Sequence, residues 1–337
     1  MRAWQLAAGA SSLDDLRLIE MATPAPGPGE VLIRVHACSL NFRDQMIVRG
    51  EYMGGPVPEA ITPLSDGAGE VVAVGDGVAR FAVGDRVAGI FFQGWHSGPP
   101  VAVRGGALGA AGAPGMLAEH VVLPESGIIA VATSLDFDEA ATLPCAGVTA
   151  WNALMEGPNK VGPGRSVLVI GTGGVSLIAL QIAKAAGATV IATSSSDEKL
   201  ERVRSLGADH LINYRTTPEW GAKAAELAGG GVDHVIEVGG AGTLAQSIAA
   251  VGYGGEVSII GVLTIEGDTS PRGLMYKGAS LRGIFVGSGA MATSLNAMID
   301  AAGIKPVIGR RFGFDEVKDA FAYVASPDLF GKAVITF

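Results

Sequence analysis

The 337 residues carry a formal charge of −9, with 48% apolar side chains, 17% charged ones and 50 glycines. That length supports two cores, and that composition excludes a disordered or fibrous chain. The basic residues are scattered, with no stripe for nucleic acid or an anionic membrane.

No apolar run reaches the roughly 18 residues of a membrane span. The only cysteines, Cys38 and Cys145, cannot build a disulfide framework, and Met1–Leu6 has no signal-peptide pattern. The expected setting is a reducing cytoplasm.

In chain order, residues 1 to about 125 read as short strands broken by Gly and Pro, with Val31–Ala37, Gly69–Val74 and Gly84–Ile90 as the clearest. Within this block Gly105–Gly115 has no periodicity and reads as a loop or lid. The pattern then changes to alternating strands and helices. Ser166–Ile170, Thr189–Thr193, Val232–Val238 and Glu256–Val262 read as strands, and Leu177–Ala186 and Asp197–Leu206 as helices. That βα alternation is the signature of a doubly wound parallel sheet. From about 290 onward, two helices (Ala292–Ala302 and Phe314–Val324) and a strand (Ala333–Phe337) close the chain.

The most specific motif follows Ser166–Ile170. It is Gly171-Thr172-Gly173-Gly174-Val175-Ser176, standing between a buried strand and an apolar helix. Gly171 allows a tight turn, and Gly173 lets the backbone approach a pyrophosphate at the helix N-terminus. Ser176 takes the third glycine position, a departure expected to loosen helix–strand packing. The end of the next strand selects the dinucleotide. An NAD site holds an acidic residue there for the ribose hydroxyls, but this chain has Thr193-Ser194-Ser195-Ser196. Ser194, Ser195, Lys199 and Tyr214 are therefore expected to hold a 2′-phosphate, which favours NADP(H). The bland alternative makes Ser196 or Asp197 a helix cap and the rest surface.

The run Gly171–Tyr214 resembles the cofactor domain of the medium-chain dehydrogenase/reductase superfamily. So do Leu143–Trp151 (LPCAGVTAW), Pro26–Val35 (PGPGEVLIRV) and the Gly75–Val87 stretch. The resemblance spans nearly the whole chain. It implies an α/β fold: a Rossmann doubly wound parallel sheet (126–289) plus a GroES-like, mostly-β catalytic domain (1–125 and 290–337). It also implies that substrate binds between the domains. Further cofactor contacts are implied at Thr149, Val238, Gly239, Gly240, Gly261, Val262, Phe285, Val286, Gly331 and Lys332.

Zinc-dependent members hold the metal with Cys, His and Cys, and carry a four-cysteine lobe. By that resemblance the first ligand position falls on Asn41 and the Gly-His-Glu position on Leu64-Ser65-Asp66, so only Cys145 is kept. Residues 91–118 contain no cysteine. A tetrahedral zinc needs at least three suitable ligands, so no metal is expected, and Cys145, Cys38 and His36 read as packing residues.

Without a Lewis acid, plain carbonyls are harder to reduce. Asn41–Asp44 and Gly50–Tyr52 resemble quinone oxidoreductases and enoyl reductases, which act on activated substrates. The implied activity is hydride transfer from NADPH to an α,β-unsaturated carbonyl or a quinone. Asn41 would orient substrate or nicotinamide, and Tyr52 would supply a proton or stabilise an enolate. Arg43 and Asp44 read as an ion pair shaping the loop, and Trp95 and His96 as candidates for substrate contact. Two alternatives stay open: a zinc-free carbonyl reductase or alcohol dehydrogenase, and a non-enzymatic NADPH-binding protein. A homodimer is expected through Ala279–Gly287, read as the last strand of the Rossmann sheet, whose bare edge a second copy would cover.

Overall fold

A computed structural model describes residues 1–100, 106–261 and 263–337. Val262, expected at the cofactor, lies outside them. In chain order the elements are β1 (Arg2–Leu6), β2 (Leu16–Glu20), β3 (Glu30–Ser39), α1 (Phe42–Val48), β4 (Asp66–Val74), β5 (Arg86–Gly89), β6 (His120–Pro124), β7 (Ile128–Ala130), α2 (Phe137–Ala140) and α3 (Val148–Met155). Then come β8 (Ser166–Ile170), α4 (Gly174–Ala185), β9 (Thr189–Ser194), α5 (Asp197–Ser205), β10 (His210–Asn213), α6 (Trp220–Leu227), β11 (Val232–Glu237), α7 (Ala241–Ala250) and β12 (Val251–Ile259). The chain ends with α8 (Arg272–Lys277), β13 (Ser280–Gly283), α9 (Gly289–Ala302), β14 (Ile308–Gly313), α10 (Val317–Val324) and β15 (Lys332–Thr336).

Two compact units result, residues 1–148 with 287–337, and residues 149–286. In the first, the sheet runs β14-β15-β3-β4-β5-β7, and β6 also pairs with β3. The long β3 serves two neighbours. Its first half pairs with β6 (Val31↔Leu123) and its last residues with β15 (Cys38↔Ile335). Its register against β4 shifts between Val35 and Ala37, and such a bulge bends a strand. Leu6, Ile33, Ile47, Leu64, Met116 and Ile335 are fully buried or nearly so in this core. Each contributes about 1.5–3 kcal/mol by leaving water.

The boundary lies at 148/149 rather than 125/126. The reason is pairing: β7 joins β5 through Val87↔Ala130, so the chain stays with the first sheet past residue 125. The return point is 287, because Gly289 and Ala290 N–H donate to the Trp95 and His96 carbonyls at 3.0 and 2.8 Å. The described part of the expected lid, residues 106–115, is pinned down. Leu108 is fully buried, and Phe92 bridges Ala107.

The second unit is a parallel sheet in the order β10-β9-β8-β11-β12-β13. Its order reverses between β8 and β11, the switch point at which doubly wound folds bind ligands. Leu168, Ile191, Val235 and Val257 fill its core. β12 starts five residues earlier than Glu256 and stops at Ile259. Its glycine-rich start, Val251-Gly252-Tyr253-Gly254-Gly255, lies outside the expected strand, yet Val251 pairs with Val232 across a register shift. The last strand is shorter than expected, Ser280–Gly283, at the sheet edge.

Candidate active site

β8 ends in the buried run Val167–Ile170, and Gly171 follows at φ +73°. That backbone favours glycine. The Gly171 N–H donates to the Thr193 carbonyl at 3.0 Å and fastens the turn to β9. Gly173 is extended (φ −80°, ψ 177°) and precedes α4. Where side chains would begin at Gly171 and Gly173, no described atom beyond their chain neighbours lies within 4 Å. Open space therefore lies beside the first N–H groups of a twelve-residue helix, those of Gly174, Val175 and Ser176, which have no carbonyl one turn earlier. It fits the diphosphate of a dinucleotide. The expected loosening at Ser176 does not occur. Its buried hydroxyl donates to the Ile170 carbonyl at 2.7 Å and ties helix to strand.

At the end of β9, Ser194 is only 3% exposed and its hydroxyl oxygen accepts the Ser196 N–H at 3.3 Å. That bond uses the oxygen as an acceptor and leaves the Ser194 O–H to donate. Ser195 and Lys199 are half-buried, Ser196 caps α5, and Tyr214 is exposed. The Tyr214 N–H donates to the Ser194 carbonyl, which brings the two strand ends together. Asp197 accepts from Asn213 Nδ2 at 2.7 Å, so its carboxylate is turned to β10.

Across the switch point, the turn after β11 closes on a buried carboxylate. Glu237 Oε1 accepts the N–H groups of Gly239 (2.7 Å) and Gly240 (3.0 Å) and the Thr243 hydroxyl (2.5 Å), and Oε2 accepts from Ser247. The two N–H groups thus point away from any ligand, leaving the carbonyl face and Val238 for contact. Gly261 is packed so tightly on the Val238 carbonyl that a side chain would overlap it. At the other end of the sheet Val286 has φ +56°, a strained conformation for a β-branched residue. Asn152 Nδ2 donates to its carbonyl at 2.7 Å, Arg282 donates to Asn152 Oδ1 at 3.1 Å, and the buried Glu256 accepts from Arg282 Nε at 2.8 Å. Phe285 beside it is 40% exposed, and Thr149 is buried in α3.

In the first unit, a buried polar cluster forms where β3 runs into α1. Lys332, at the start of β15 behind Gly331 (φ +69°), is 5% exposed. Its ammonium donates to Asn41 Oδ1 (2.6 Å), the Leu40 carbonyl (2.7 Å) and Asp66 Oδ2 (3.3 Å). All three N–H bonds are used within the cluster. Asp66 is fully buried, with the Ser65 hydroxyl donating at 2.9 Å; the single Ser39 O–H is shared between Asp66 at 3.1 Å and the Ala141 carbonyl at 2.9 Å. The Asn41 Nδ2 group is buried with no partner among the described residues.

Arg43 and Asp44 do not form the expected ion pair. The Arg43 guanidinium lies between the rings of Phe91 (4.7 Å) and Tyr52 (5.0 Å) and donates to the Leu108 carbonyl at 2.7 Å. Asp44 instead accepts the Asn41 N–H at 2.7 Å, closing the start of α1. Burial pushes its carboxyl up to about 6, against the pull of Arg43. Tyr52 is half-buried at the entry to a left-handed turn (Met53 φ +38°). Burial raises its phenol above the ordinary range and keeps it protonated at neutral pH; Asp44 and Cys145 are within electrostatic reach. Trp95 is buried and donates to the Gly98 carbonyl, whereas His96 is exposed.

Residues 174–302 match the zinc-binding dehydrogenase family, and residues 27–133 match the alcohol dehydrogenase GroES-like domain. A zinc-type alcohol dehydrogenase-like protein of Schizosaccharomyces pombe is 44% identical over 335 residues, 96% of either chain. The chain belongs to the medium-chain dehydrogenase/reductase superfamily. Human quinone oxidoreductase is 31% identical, covering 89% of this chain and 87% of its own. The 2-methylene-furan-3-one reductase of Solanum lycopersicum is 32% identical, covering 99% and 79%. A crystal structure of an alcohol dehydrogenase described as putative, from Sinorhizobium meliloti 1021, superposes with a TM-score of 0.89 at 43% identity over the whole of both chains. A crotonyl-CoA carboxylase/reductase in complex with NADP superposes at 0.87 with 26% identity, over 100% and 94%.

As a member of this superfamily the chain is an oxidoreductase that uses a nicotinamide cofactor on a small molecule. The superfamily's zinc does not fit the residues present. Cys145, whose thiol burial pushes up, and Asp66 are the two conventional donors, and Asp66 already holds an ammonium. Among the described residues no group of three or more His, Cys, Asp or Glu could hold a metal. Nor is any described helix long and apolar enough to cross a membrane. Sequence reasoning passed over Glu237, Asn152 and Arg282. Arg282 alone left a signal, since it pairs with Ser258 on β12, two residues beyond Glu256 and on the same face.

Proposed function

We propose that the chain is an NADPH-dependent reductase of α,β-unsaturated carbonyl compounds or quinones that works without a catalytic metal. The observation that carries this reading is the polar cluster at Asn41, in which the Lys332 ammonium bonds both Asn41 Oδ1 and Asp66 and would leave no need for a metal ion there. A substrate activated by conjugation needs less polarisation than a plain ketone. Bound NADPH supplies the hydride. The open turn at Gly171–Gly173 would hold its diphosphate and Ser194, Ser195, Lys199 and Tyr214 its 2′-phosphate. Thr149, Val238, Gly261, Phe285 and Val286 would line its nicotinamide half. Asn41 would donate to the substrate carbonyl oxygen as charge develops there. The protonated Tyr52 phenol would deliver the proton. The names of the quinone and furanone reductase relatives support the substrate class, and the NADP-bound neighbour supports the cofactor.

The edge strand β13, with Leu281 exposed and Met275 and Tyr276 more so on the preceding α8, suits a homodimer. Light scattering should give twice the 34.1 kDa chain mass. A cytoplasmic setting suits the two free thiols. One panel tests the whole reading: NADPH oxidation at 340 nm with an enone, a quinone and a simple ketone, on protein whose zinc content is measured. Turnover of the first two without stoichiometric zinc is expected. Turnover of the simple ketone alone, or loss of activity when a bound zinc is removed, overturns it.

A further inference from the structure

We propose that Lys332 and Asp66 are positioning residues that lock the Asn41 amide with its N–H bonds turned away from them, as the donor to the substrate's carbonyl oxygen. The inference rests on the substrate class proposed above and adds how the donor is held.

The orientation of an Asn amide is ordinarily ambiguous, because oxygen and nitrogen look alike. Here chemistry settles it. An ammonium has three donors and no acceptor, so the Asn41 atom 2.6 Å from Lys332 Nζ has to be oxygen. The nitrogen then lies on the opposite side, where it is buried without a partner among the described residues. Buried donors are nearly always paired, and an orphan is kept where a ligand completes the bond. The clamp is over-determined. Lys332 is fixed by the Leu40 carbonyl and by Asp66, and Asp66 by the Ser65 hydroxyl and by a share of the Ser39 proton, which the Ala141 carbonyl also takes. The Asn41 N–H, bonded to Asp44, fixes the backbone from which the amide projects.

A rigid donor stabilises developing charge better than a mobile one, because nothing reorganises during the reaction. Accepting a bond from a cation at Oδ1 also polarises the amide and strengthens its N–H groups as donors. When hydride reaches the electrophilic carbon, the C=C electrons move towards the carbonyl and negative charge gathers on its oxygen. Asn41 Nδ2 would meet that charge. Lys332 acts through it and keeps all its protons.

The test is a set of variants read by turnover and by binding. Asn41→Asp keeps the size and the acceptor for Lys332 but has no N–H to offer. It should lower kcat/KM on an enone by about 10²–10³-fold, with NADPH affinity changed less than about threefold. Lys332→Met leaves a buried carboxylate unpaired, so the pair Lys332→Met with Asp66→Asn, which removes both charges, guards against misfolding. It should lower kcat rather than raise KM. Combined with Asn41→Ala it should add no further loss, because the clamp acts only through the amide. Wild-type turnover in Asn41→Asp, or losses that simply add, overturns the proposal.

An activity-free readout separates this from the substrate reading. In ¹⁵N spectra the Asn41 side-chain signal, assigned by its loss in Asn41→Asp, should shift when a saturated ketone is added to the NADP⁺-loaded enzyme. The shift should vanish in the charge-free pair. If the wild type reduces neither enone nor quinone, the substrate reading fails while this signal still decides the donor. No shift with bound ketone refutes it.

Discussion

In residues 149–286 the proposed cofactor contacts fall on short turns at strand ends. Gly171 and Gly173 come just after β8, Ser195 just after β9, and Val238 just after β11. What they offer is largely backbone and empty space, so a few consecutive residues suffice. In the first unit the chemistry is carried by side chains that the chain gathers from afar. Lys332 meets Asn41 across 291 positions and Asp66 across 266. The first kind of site leaves a motif, whereas the second leaves isolated polar residues whose partners appear only once β15 lies beside β3.

The sharpest break of this comparison is Tyr52→Phe, because Tyr52 is the proposed proton donor rather than a support. Acid catalysis by a placed group is worth about 10²–10⁴-fold, and enone turnover should fall by that factor with NADPH affinity preserved. Quinone reduction should fall less, since a quinol oxygen can take its proton from water. Burial raises the phenol above its ordinary range, so wild-type enone turnover should lose its proton donor only above pH 10. Full enone turnover in Tyr52→Phe leaves the ring a mere lining, and water becomes the donor.

On the cofactor side, Ser195→Asp should exchange preference from NADPH towards NADH. A hydrogen bond to a charged group contributes roughly 1.5–3 kcal/mol, or about 10–150-fold in dissociation constant. Titration of both cofactors checks it, and equal wild-type affinities for NADPH and NADH would end the 2′-phosphate reading. A smaller effect sharpens the cradle itself. Gly173 has an ordinary φ of −80° and free space above it. Gly173→Ala should therefore leave the melting temperature of the free protein unchanged while its methyl group intrudes on the diphosphate, weakening NADPH by about tenfold. Lower thermal stability with unaltered binding would mean that the glycine serves the fold alone.

Much of the second unit was legible because it depends on period and punctuation. β8 and the start of α5 fall where expected, since buried apolar runs and Gly breaks are local. The start of β12 at Val251 was missed because Gly252, Gly254 and Gly255 interrupt the apolar pattern. In the first unit, Asn41 and Tyr52 could be singled out by resemblance, but not what holds them. Arg43 and Asp44 are adjacent and opposite in charge, so an ion pair was the natural expectation. Tertiary packing gave Arg43 two aromatic faces and a carbonyl instead, and left Asp44 to the Asn41 N–H.

That separation makes Asp44 the subtlest probe of the buried cluster. Its carboxyl sits at about 6 against an ordinary 3.8, raised first by burial and further by the like charge of Asp66, with Arg43, the Asn41 N–H and Lys332 opposing. Between those two values the folded chain retains a proton that the unfolded chain has lost. Stability therefore falls as pH rises through that window, and the deficit is complete above pH 6. Asp44→Asn keeps an acceptor for the Asn41 N–H and removes the charge. At pH 7.5 its melting temperature should exceed that of the wild type by a few degrees, about 2–4 °C for each kcal/mol recovered in a unit of this size. Near pH 4, where the wild-type carboxyl is also neutral, the two curves should converge. A difference that stays constant from pH 4 to 8 would mean that Asp44 acts through packing, and that its charge is accommodated by Arg43 and Lys332 after all.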